Sequence, residues 1–288
     1  MSFLTYRRGR GRSGILGLLF SNVSITWWII AVNALIFLGE AILVAFYPDS
    51  IKYFTLNATD ILHGRYLWTL ITHMFSHVNF FHLFVNMFSL WFVGSFVEKL
   101  MGRKRFFWFY LISGVFAGIL AVILSGFFGY GILEKIVGDP TIPMLGASGA
   151  IFGIVGLLAV LVPYARVYLI AGPLIALIIQ AIVGMIFKSA SWLGAISFLI
   201  NVYIILSIFM MFSLNARTRK IIVPIEMPFW LLPFVAIVPL IVIGLFVFLP
   251  IGNVAHFGGL LAGLAYGLYL RIKYKHKVMM LRRFFGAR

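Results

Sequence analysis

The chain has 288 residues, of which 63% are hydrophobic and 10% are charged, and its mean hydropathy is +1.09. A soluble domain of this size has no interior large enough for so much apolar surface, so the composition excludes a soluble protein and predicts a polytopic membrane protein. The sequence has no cysteine, which excludes disulfides, zinc–thiolate sites and a cysteine nucleophile. The net charge of +16 is interpreted as basic connections on one side of a membrane, and no nucleic-acid partner is expected.

Apolar stretches of the length needed to cross a bilayer follow one another along most of the chain. Their predicted bounds are 25–46, 80–100, 106–126, 147–163, 167–187, 191–212, 229–249 and 254–272. They indicate an all-α, helical membrane protein of about eight transmembrane helices. Gly172, Pro173 and Gly184 interrupt the region 167–212, so the pair of helices in this region is the least regular part of the pattern.

The membrane domain so defined covers residues 23–273, between a basic N-terminal segment, residues 1–22, and a basic tail, residues 274–288. Lysine and arginine concentrate at both ends of the chain and in every second connection, whereas the alternate connections carry acids. With eight spans all basic clusters fall on one side, and the positive-inside rule then places both termini in the cytosol. The same count places Ser148 and His256 at the outer ends of their helices. We therefore expect a multi-pass protein of the cell membrane.

Few polar side chains lie within the apolar zone, where such groups are costly and typically functional. These candidates are His73, His77, His82, Asn86, Ser148 and His256. His82 and Asn86 are four residues apart and so share one face of a helix. This spacing fits polar contacts between helices, and it also fits two hydrogen-bond donors directed at one point.

Ser148 lies in the stretch GASGAIFG, where a helix is predicted to begin after Pro143 and Gly146. One interpretation is close helix packing, because Gly149 and Gly153 form a face of small residues. The other interpretation is a nucleophile. The unpaired N–H groups at the N-terminus of a helix would stabilise an oxyanion formed at the serine.

His256 begins the last predicted span, and glycines follow it at four-residue spacing, namely Gly259, Gly263 and Gly267. If this glycine face meets that of the Ser148 helix, the imidazole reaches the serine hydroxyl, and the ring of Phe152 can stack on the imidazole. Histidine is the side chain whose ordinary pKa suits the removal of a proton from serine. The last two spans contain no acid that could orient the imidazole, so the sequence predicts a Ser–His dyad.

These motifs, in this order, resemble those of the rhomboid family of intramembrane serine proteases. The resemblance rests on G-A-S-G around Ser148, on A-H-x-G-G-x-x-x-G around His256 and on the pair of His82 and Asn86. It extends through the stretches THMFSHVNFFHLFVNM and FVEKLMGRKR, and covers about residues 65–272. The resemblance implies a core of six transmembrane helices, to which this chain adds two.

The resemblance also implies a function. A protease of this family cleaves transmembrane helices of membrane proteins near the outer side of the bilayer. Ser148 would be the nucleophile and His256 the general base and then the acid. His82, Asn86 and the backbone N–H of Ser148 would line the oxyanion hole. The residues that would support the active site are Gly146, Gly149, Phe152, Gly259 and His77.

Two features depart from the pattern of the family. Thr69 follows Trp68 at a position where the family has arginine, so the first outer loop is expected to be anchored differently. Ser148 and His256 are 108 residues apart, about twice the length that the intervening helices of the family require. The excess fits an inserted pair of helices at about 167–212, or alternatively a stretch of which part lies in the membrane interface. The helix at 229–249 would then take the place of the mobile lateral gate.

Three other functions stay open at this point. One is a metal site built from His73, His77 and His82. The second is a transporter that uses the interrupted helices as its pathway. The third is a catalytically inactive rhomboid-like protein that only binds helices. For the favoured function no cofactor and no metal are expected, the oligomeric state is unknown, and the expected partners are transmembrane substrate proteins and the lipid bilayer.

Overall fold

The computed structural model describes residues 23–187, 191–210, 224–245 and 252–286, so the predicted N-terminal segment 1–22 lies outside the described residues. Most of the described chain is helical, which confirms the predicted fold class. Two short strands are present, β1 (Arg166–Ile170) and β2 (Pro224–Pro228). In chain order the helices are α1 (Ile25–Phe46), α2 (Ala58–Leu62), α3 (Thr69–Thr72), α4 (Phe80–Ser89), α5 (Ser95–Met101), α6 (Arg103–Phe128), α7 (Glu134–Val137), α8 (Ser148–Leu161), α9 (Ala171–Ile186), α10 (Leu193–Met210), α11 (Leu232–Gly244), α12 (Asn253–Lys273) and α13 (Lys275–Gly286).

Three helices in the described residues are long and apolar enough to cross a membrane, namely α1, the continuous helix Phe80–Met101 and α6. The helix Phe80–Met101 joins α4 to α5 through one wider turn at Leu90–Gly94. The helix that begins at Ser148 is shorter than the predicted span 147–163, because α8 has 14 residues. A helix of that length is ~21 Å long, so its two ends cannot both reach the surfaces of a hydrocarbon core that is ~30 Å thick.

A carboxylate from the second long helix fixes the start of α1. Glu98 in α5 accepts hydrogen bonds from the backbone N–H groups of Ile25 and Thr26, at 2.8 and 2.9 Å, and from the Thr26 hydroxyl at 2.7 Å. The first N–H groups of a helix have no partner within the helix, and a negative charge next to them interacts favourably with the helix dipole. Glu98 therefore ties α1 to α5.

The centre of the fold is the contact of α8 with α12 and α6. Backbones lie side by side there because glycines face each other. A Cβ on Gly259 of α12 would overlap the carbonyl oxygen of Gly149, and a Cβ on Gly263 would overlap that of Gly153. On the other side of α8, a Cβ on Gly153 would lie 2.7 Å from the Cβ of Ser113 in α6. The predicted meeting of the two glycine faces is confirmed.

The insertion predicted at about 167–212 begins with a strand and not with a helix. β1 pairs with β2 in antiparallel register, with Arg166 opposite Pro228 and Ile170 opposite Pro224. The sequence RVYLI of β1 contains β-branched and aromatic residues that favour strands, and a two-stranded ribbon has open edges on which proline is tolerated. The first helix of the insertion, α9, begins only after this strand.

The ribbon closes the insertion at its base. The backbone N–H of Phe229 donates to the carbonyl of Ala165 at 2.8 Å, and that of Trp230 donates to the carbonyl of Pro163 at 3.0 Å. The end of α8 and the start of α11 are therefore neighbours, with residues 166–228 inserted between them. Within the insertion α9 packs against α10. Outside this segment the described residues include six helices, the number that the implied core requires, namely α1, the α4–α5 helix, α6, α8, α11 and α12.

The helix predicted at 229–249 is shorter in the structure. A 3₁₀ turn at Phe229–Leu231 leads into α11, and residues 246–249 lie outside the described residues. The basic tail forms the helix α13, in which Val278 and Leu281 are buried. The guanidinium group of Arg282 donates to the carbonyl of Val160 near the C-terminal end of α8, where a cation is favourable.

Candidate active site

The connection between α1 and α4 fixes the position of the segment that leads to Ser148. The backbones of Leu56 and Met144 exchange two hydrogen bonds, at 2.7 and 2.8 Å. The backbone N–H of Gly146 donates to the carbonyl of His73 at 2.8 Å. Gly146 has a φ of +118°, a conformation that favours glycine. These contacts place Ser148 at the first position of α8.

Ser148 and His256 are in hydrogen-bond contact. The Nε2 atom of His256 lies 2.8 Å from the Oγ atom of Ser148, although the residues are 108 positions apart in the chain. Ser148 begins α8, and His256 lies in the first turn of α12, so the two helices run in the same direction and bring their N-terminal ends together. The serine hydroxyl can donate to an unprotonated Nε2, which is the geometry that proton transfer requires.

An aromatic ring lies on the imidazole of His256. The ring of Phe152, one turn after Ser148, stacks on it with the centroids 4.4 Å apart and the planes 18° apart. The Nδ1 atom of His256 is buried and has no hydrogen-bond partner among the described residues. The orientation of the imidazole therefore comes from stacking and packing.

His82 lies against the loop before Ser148, whereas Asn86 is directed along its own helix. A Cβ on Gly146 would lie 2.7 Å from Cε1 and 2.9 Å from Nε2 of His82. The Nδ2 of Asn86 donates to the backbone carbonyl of His82 at 2.9 Å. Within the described residues no hydrogen bond joins the side chain of either residue to Ser148. Their role as donors to an oxyanion stays a prediction.

His77 is buried next to His82. The two rings meet edge to face, with their centroids 5.0 Å apart, and only 4% of His77 is exposed. Burial, together with the neighbouring His82, lowers the pKa of His77 to about 4, so His77 is neutral near neutral pH. His77 therefore adds a neutral imidazole to the polar end of the site.

Hydrogen bonds between neighbouring residues anchor the loop around Trp68, and Thr69 takes part in two of them. The indole N–H of Trp68 donates to the carbonyl of Tyr53 at 2.9 Å. The hydroxyl of Thr69 donates to the carbonyl of Tyr66 at 2.8 Å, and the Nδ1 of His73 lies 2.7 Å from the carbonyl oxygen of Thr69. These contacts fix the loop at a position where the related proteins were expected to use arginine.

His73, His77 and His82, considered above as metal ligands, do not form a metal site. Among the described residues no group of three or more His, Cys, Asp or Glu side chains is placed to hold a metal ion. His73 packs instead against Gly118 of α6. His77 and His82 contact each other through their ring faces and edges.

A buried carboxyl group outside the sequence motifs lies next to the site. Glu40 in α1 is 5% exposed, and its Oε1 accepts a hydrogen bond from the hydroxyl of Ser76. The sequence signal for Glu40 is its place inside the predicted span 25–46, because ionisable residues in spans are functional candidates.

Comparison with known proteins relates the chain to one family. The model of the rhomboid domain matches residues 64–204, a region that contains His82, Asn86 and Ser148 and ends before His256. Rhomboid protein 1, mitochondrial, of Saccharomyces cerevisiae is 35% identical over 107 residues, which are 36% of this chain and 28% of the relative.

Two further relatives are similar to part of the chain. Rhomboid protease GluP of Bacillus subtilis is 35% identical over 91 residues, 32% of this chain and 15% of the relative. Presenilin-associated rhomboid-like protein, mitochondrial, of Homo sapiens is 31% identical over 147 residues, 51% of this chain and 35% of the relative. The chain thus aligns with between 15% and 35% of the length of these relatives.

The fold and the matches define a multi-pass, helical membrane protein with a rhomboid domain. The matched domain and the relatives that carry the rhomboid name support a rhomboid family protein. The motifs around Ser148, His256, His82 and Asn86 predicted this family. The catalytic roles of these residues stay predictions.

Proposed function

We propose that the chain is an intramembrane serine endopeptidase that cleaves transmembrane segments of other membrane proteins. The observation that carries the proposal is the 2.8 Å distance between Nε2 of His256 and Oγ of Ser148. A serine hydroxyl becomes an effective nucleophile when a base within hydrogen-bond reach removes its proton. The name of the relative from Bacillus subtilis, a rhomboid protease, supports the same class of reaction.

Acylation follows from this pair of residues. The Oγ of Ser148 attacks the carbonyl carbon of the scissile peptide bond, and its proton passes to Nε2 of His256. When the C–N bond breaks, the imidazolium gives that proton to the leaving amine, and Ser148 is left as an ester of the N-terminal part of the substrate. The stacked ring of Phe152 favours the transient imidazolium, since a cation over an aromatic face is attracted to it.

The oxyanion would form at the N-terminal end of α8. The first N–H groups of a helix have no intrahelical partner, so that of Ser148 is free of the helix ladder and can donate to the developing charge. His82 lies beside Gly146 at the same end of α8. Asn86 uses one amide N–H on the carbonyl of His82, and an amide has a second N–H to donate. One such donor typically contributes a factor of about 10²–10³ to kcat.

Deacylation uses water and reverses the proton transfers. The neutral imidazole of His256 takes a proton from water, whose oxygen attacks the ester carbonyl, and Nε2 then returns the proton to Oγ of Ser148 as the acid product leaves. Buried polar residues at this end of the helices, among them Ser76, His77 and Asn253, suit a site that water can enter without meeting lipid.

The substrate class follows from the position of the site in the membrane. Carbonyl groups of a transmembrane helix are hydrogen-bonded, so the helix must unwind before Ser148 can attack. Glycine, proline or polar residues near the outer boundary make a segment easier to unwind. We place both termini in the cytosol of the cell and the site near the outer surface, and α11, which begins beside the end of α8, in the position of the lateral gate.

Covalent labelling of the active serine tests the proposal. The purified full-length protein in detergent micelles is treated with a fluorescent fluorophosphonate, which reacts with activated serine hydroxyls. We expect labelling of the wild-type protein, and labelling at background level for Ser148→Ala and for His256→Ala. The same two variants should not cleave a transmembrane test substrate that the wild-type protein cleaves.

Matched variants separate loss of chemistry from loss of fold. Ser125→Ala removes a buried hydroxyl that donates to the carbonyl of Ala121 at 2.7 Å within α6, and His276→Ala removes an exposed imidazole in α13. Both variants should be labelled like the wild-type protein. Absence of labelling and cleavage in the wild-type protein would favour a helix-binding protein or a transporter, and labelling that persists in His256→Ala would refute the dyad.

A further inference from the structure

The carboxyl group of Glu40 has no role in the dyad and yet lies at the outer end of the first spanning helix. Glu40 is six residues from the end of α1 at Phe46, which corresponds to ~9 Å along the helix axis. Only 5% of the residue is exposed. A buried acid in a membrane helix is costly, so its partners indicate what it does.

The hydrogen-bond partner of Glu40 is in the turn that precedes α4. The hydroxyl of Ser76 donates to Oε1 of Glu40. Ser76 itself is completely buried. The carboxyl group therefore fastens the residue next to His77 to α1, across 36 positions of the chain.

The turn that Glu40 holds is continuous with the candidate oxyanion side of the site. His77 contacts the ring of His82 edge to face at 5.0 Å. His82 fills the space in which a Cβ of Gly146 would lie, two residues before Ser148. A displacement of the turn at Ser76 would therefore move His77, and through it the ring of His82.

A second buried polar residue of the same helix shows the contrast. Asn33 lies two turns before Glu40 in α1 and is fully buried. Its Nδ2 donates to the carbonyl of Ile29 at 2.7 Å, within its own helix. Asn33 thus has a local partner, whereas Glu40 reaches the loop that leads to His82.

We propose that Glu40 is a positioning residue for this protease: its carboxyl group holds the turn at Ser76 and His77 and thereby sets the position of the His82 ring beside Ser148. The inference rests on the proposed function. Glu40 acts through the hydrogen bond that it accepts, and it touches neither the substrate nor the reacting atoms. Glutamine, whose amide oxygen accepts the same hydrogen bond, should replace it, and alanine should not.

Steady-state cleavage of a transmembrane substrate by the full-length protein in proteoliposomes tests this role. We expect Glu40→Ala to lower kcat by about 10- to 100-fold, the effect of misplacing a group near the reacting atoms, with KM close to the wild-type value. Glu40→Gln should restore most of kcat. Ser76→Ala, which removes the same hydrogen bond from the other side, should lower kcat in the same direction and serves if Glu40→Ala does not fold.

Asn33→Ala is the matched control, because it removes a buried polar side chain from the same helix. It should lower Tm and leave kcat near the wild-type value. The inference is overturned if Glu40→Ala loses no more kcat than Asn33→Ala at an equal loss of Tm, or if Glu40→Gln is as impaired as Glu40→Ala. Failure of the proposed function is a separate result, since either the wild-type protein would then not cleave the substrate or Ser148→Ala would cleave it as fast as the wild-type protein.

Discussion

Glycines at the contact of α8 with α12 decide the geometry of the site. Gly259 faces the carbonyl oxygen of Gly149, and Gly263 faces that of Gly153. The backbones can approach only because no Cβ is present at these positions. The same close approach brings His256, three residues before Gly259, to within hydrogen-bond distance of Ser148.

One methyl group should therefore disturb both stability and the site. We expect Gly259→Ala to lower the free energy of unfolding by about 1–3 kcal/mol, the usual cost of overpacking a core, because the new Cβ would overlap the carbonyl of Gly149. The helices must move apart, which lengthens the distance between Ser148 and His256. Thermal unfolding in detergent and the rate of fluorophosphonate labelling measure the two effects, and both should fall.

Gly184→Ala is the control for this change. Among the described residues, no atom beyond its chain neighbours and its own helix backbone lies within 4 Å of the position of its Cβ. Gly184 lies inside α9, where alanine favours the helix over glycine. This variant should keep the Tm and the labelling rate of the wild-type protein. A Gly259→Ala variant as stable and as rapidly labelled as Gly184→Ala would contradict the packing argument.

The sequence predicts the central residues of the site because their signal is local. Ser148, Phe152 and the glycines lie on one helix face at fixed spacing, and the contact of His256 with Ser148 follows once the glycine faces meet. Glu40 carries no such pattern. Its partner Ser76 comes from a loop, and neither spacing nor charge in the sequence indicates that this residue approaches α1. The sequence likewise does not predict the direction of the Asn86 amide. In the structure its Nδ2 donates to the backbone carbonyl of His82.

At the scale of elements, the insertion is a unit that is separate from the core helices. The ribbon of β1 and β2 begins where α8 ends and returns where α11 begins. The described contact of the insertion with α4 includes the rings of Phe209 and Phe84, whose centroids are 6.1 Å apart. Loss of such a contact costs little in a bilayer, because lipid chains are as apolar as the side chains that they replace.

The core should therefore fold without the insertion. We expect a shortened chain, in which an Asn-Gly turn replaces residues 167–227 and connects Arg166 to Pro228, to fold and to keep labelling of Ser148. The two joined residues are opposite each other in the ribbon, which is the distance that a two-residue turn spans. The measurements are monodispersity and Tm in detergent, and fluorophosphonate labelling compared with that of the full-length chain.

Ser148→Ala in the shortened chain shows whether the label is specific. A shortened chain that aggregates, or that folds but is not labelled, would show that the insertion is part of the core and not an addition to it. If the shortened chain folds and is labelled, cleavage of several transmembrane substrates by the shortened and the full-length chain shows whether the insertion affects the choice of substrate.

Sequence patterns predict the helices of the insertion better than its boundaries. The apolar run and the excess length between Ser148 and His256 indicate an additional pair of helices, and α9 and α10 lie where that pair was expected. The ribbon is a pairing between segments more than fifty positions apart, and each strand by itself is a short apolar stretch next to a longer one. Such a stretch is easily taken for the first turn of a helix, since periodicity does not distinguish the two.

At the scale of the whole molecule, the charges are separated between the two ends of the helices. Contacts of basic residues join elements at one end. Arg105 of α6 donates to the hydroxyl of Tyr274 after α12 at 3.2 Å, and Arg282 donates to Val160 at the end of α8. The opposite end carries the starts of α8 and α12, and with them Ser148 and His256. By the positive-inside rule we expect the basic end to lie in the cytosol and the candidate site to lie towards the outer surface.

Single cysteines can report this orientation directly, because the chain has none of its own. Ile132, in the connection between α6 and α7, is 82% exposed, and Lys277 in α13 is exposed. In intact cells that express each variant, a membrane-impermeant maleimide should label Ile132→Cys and should label Lys277→Cys only after the membrane is permeabilised. The expected difference follows from the energetic cost of moving a cluster of basic residues across the bilayer during insertion. The reverse pattern would place the termini outside and Ser148 near the cytosolic surface, so substrates would have to be cut at their cytosolic ends.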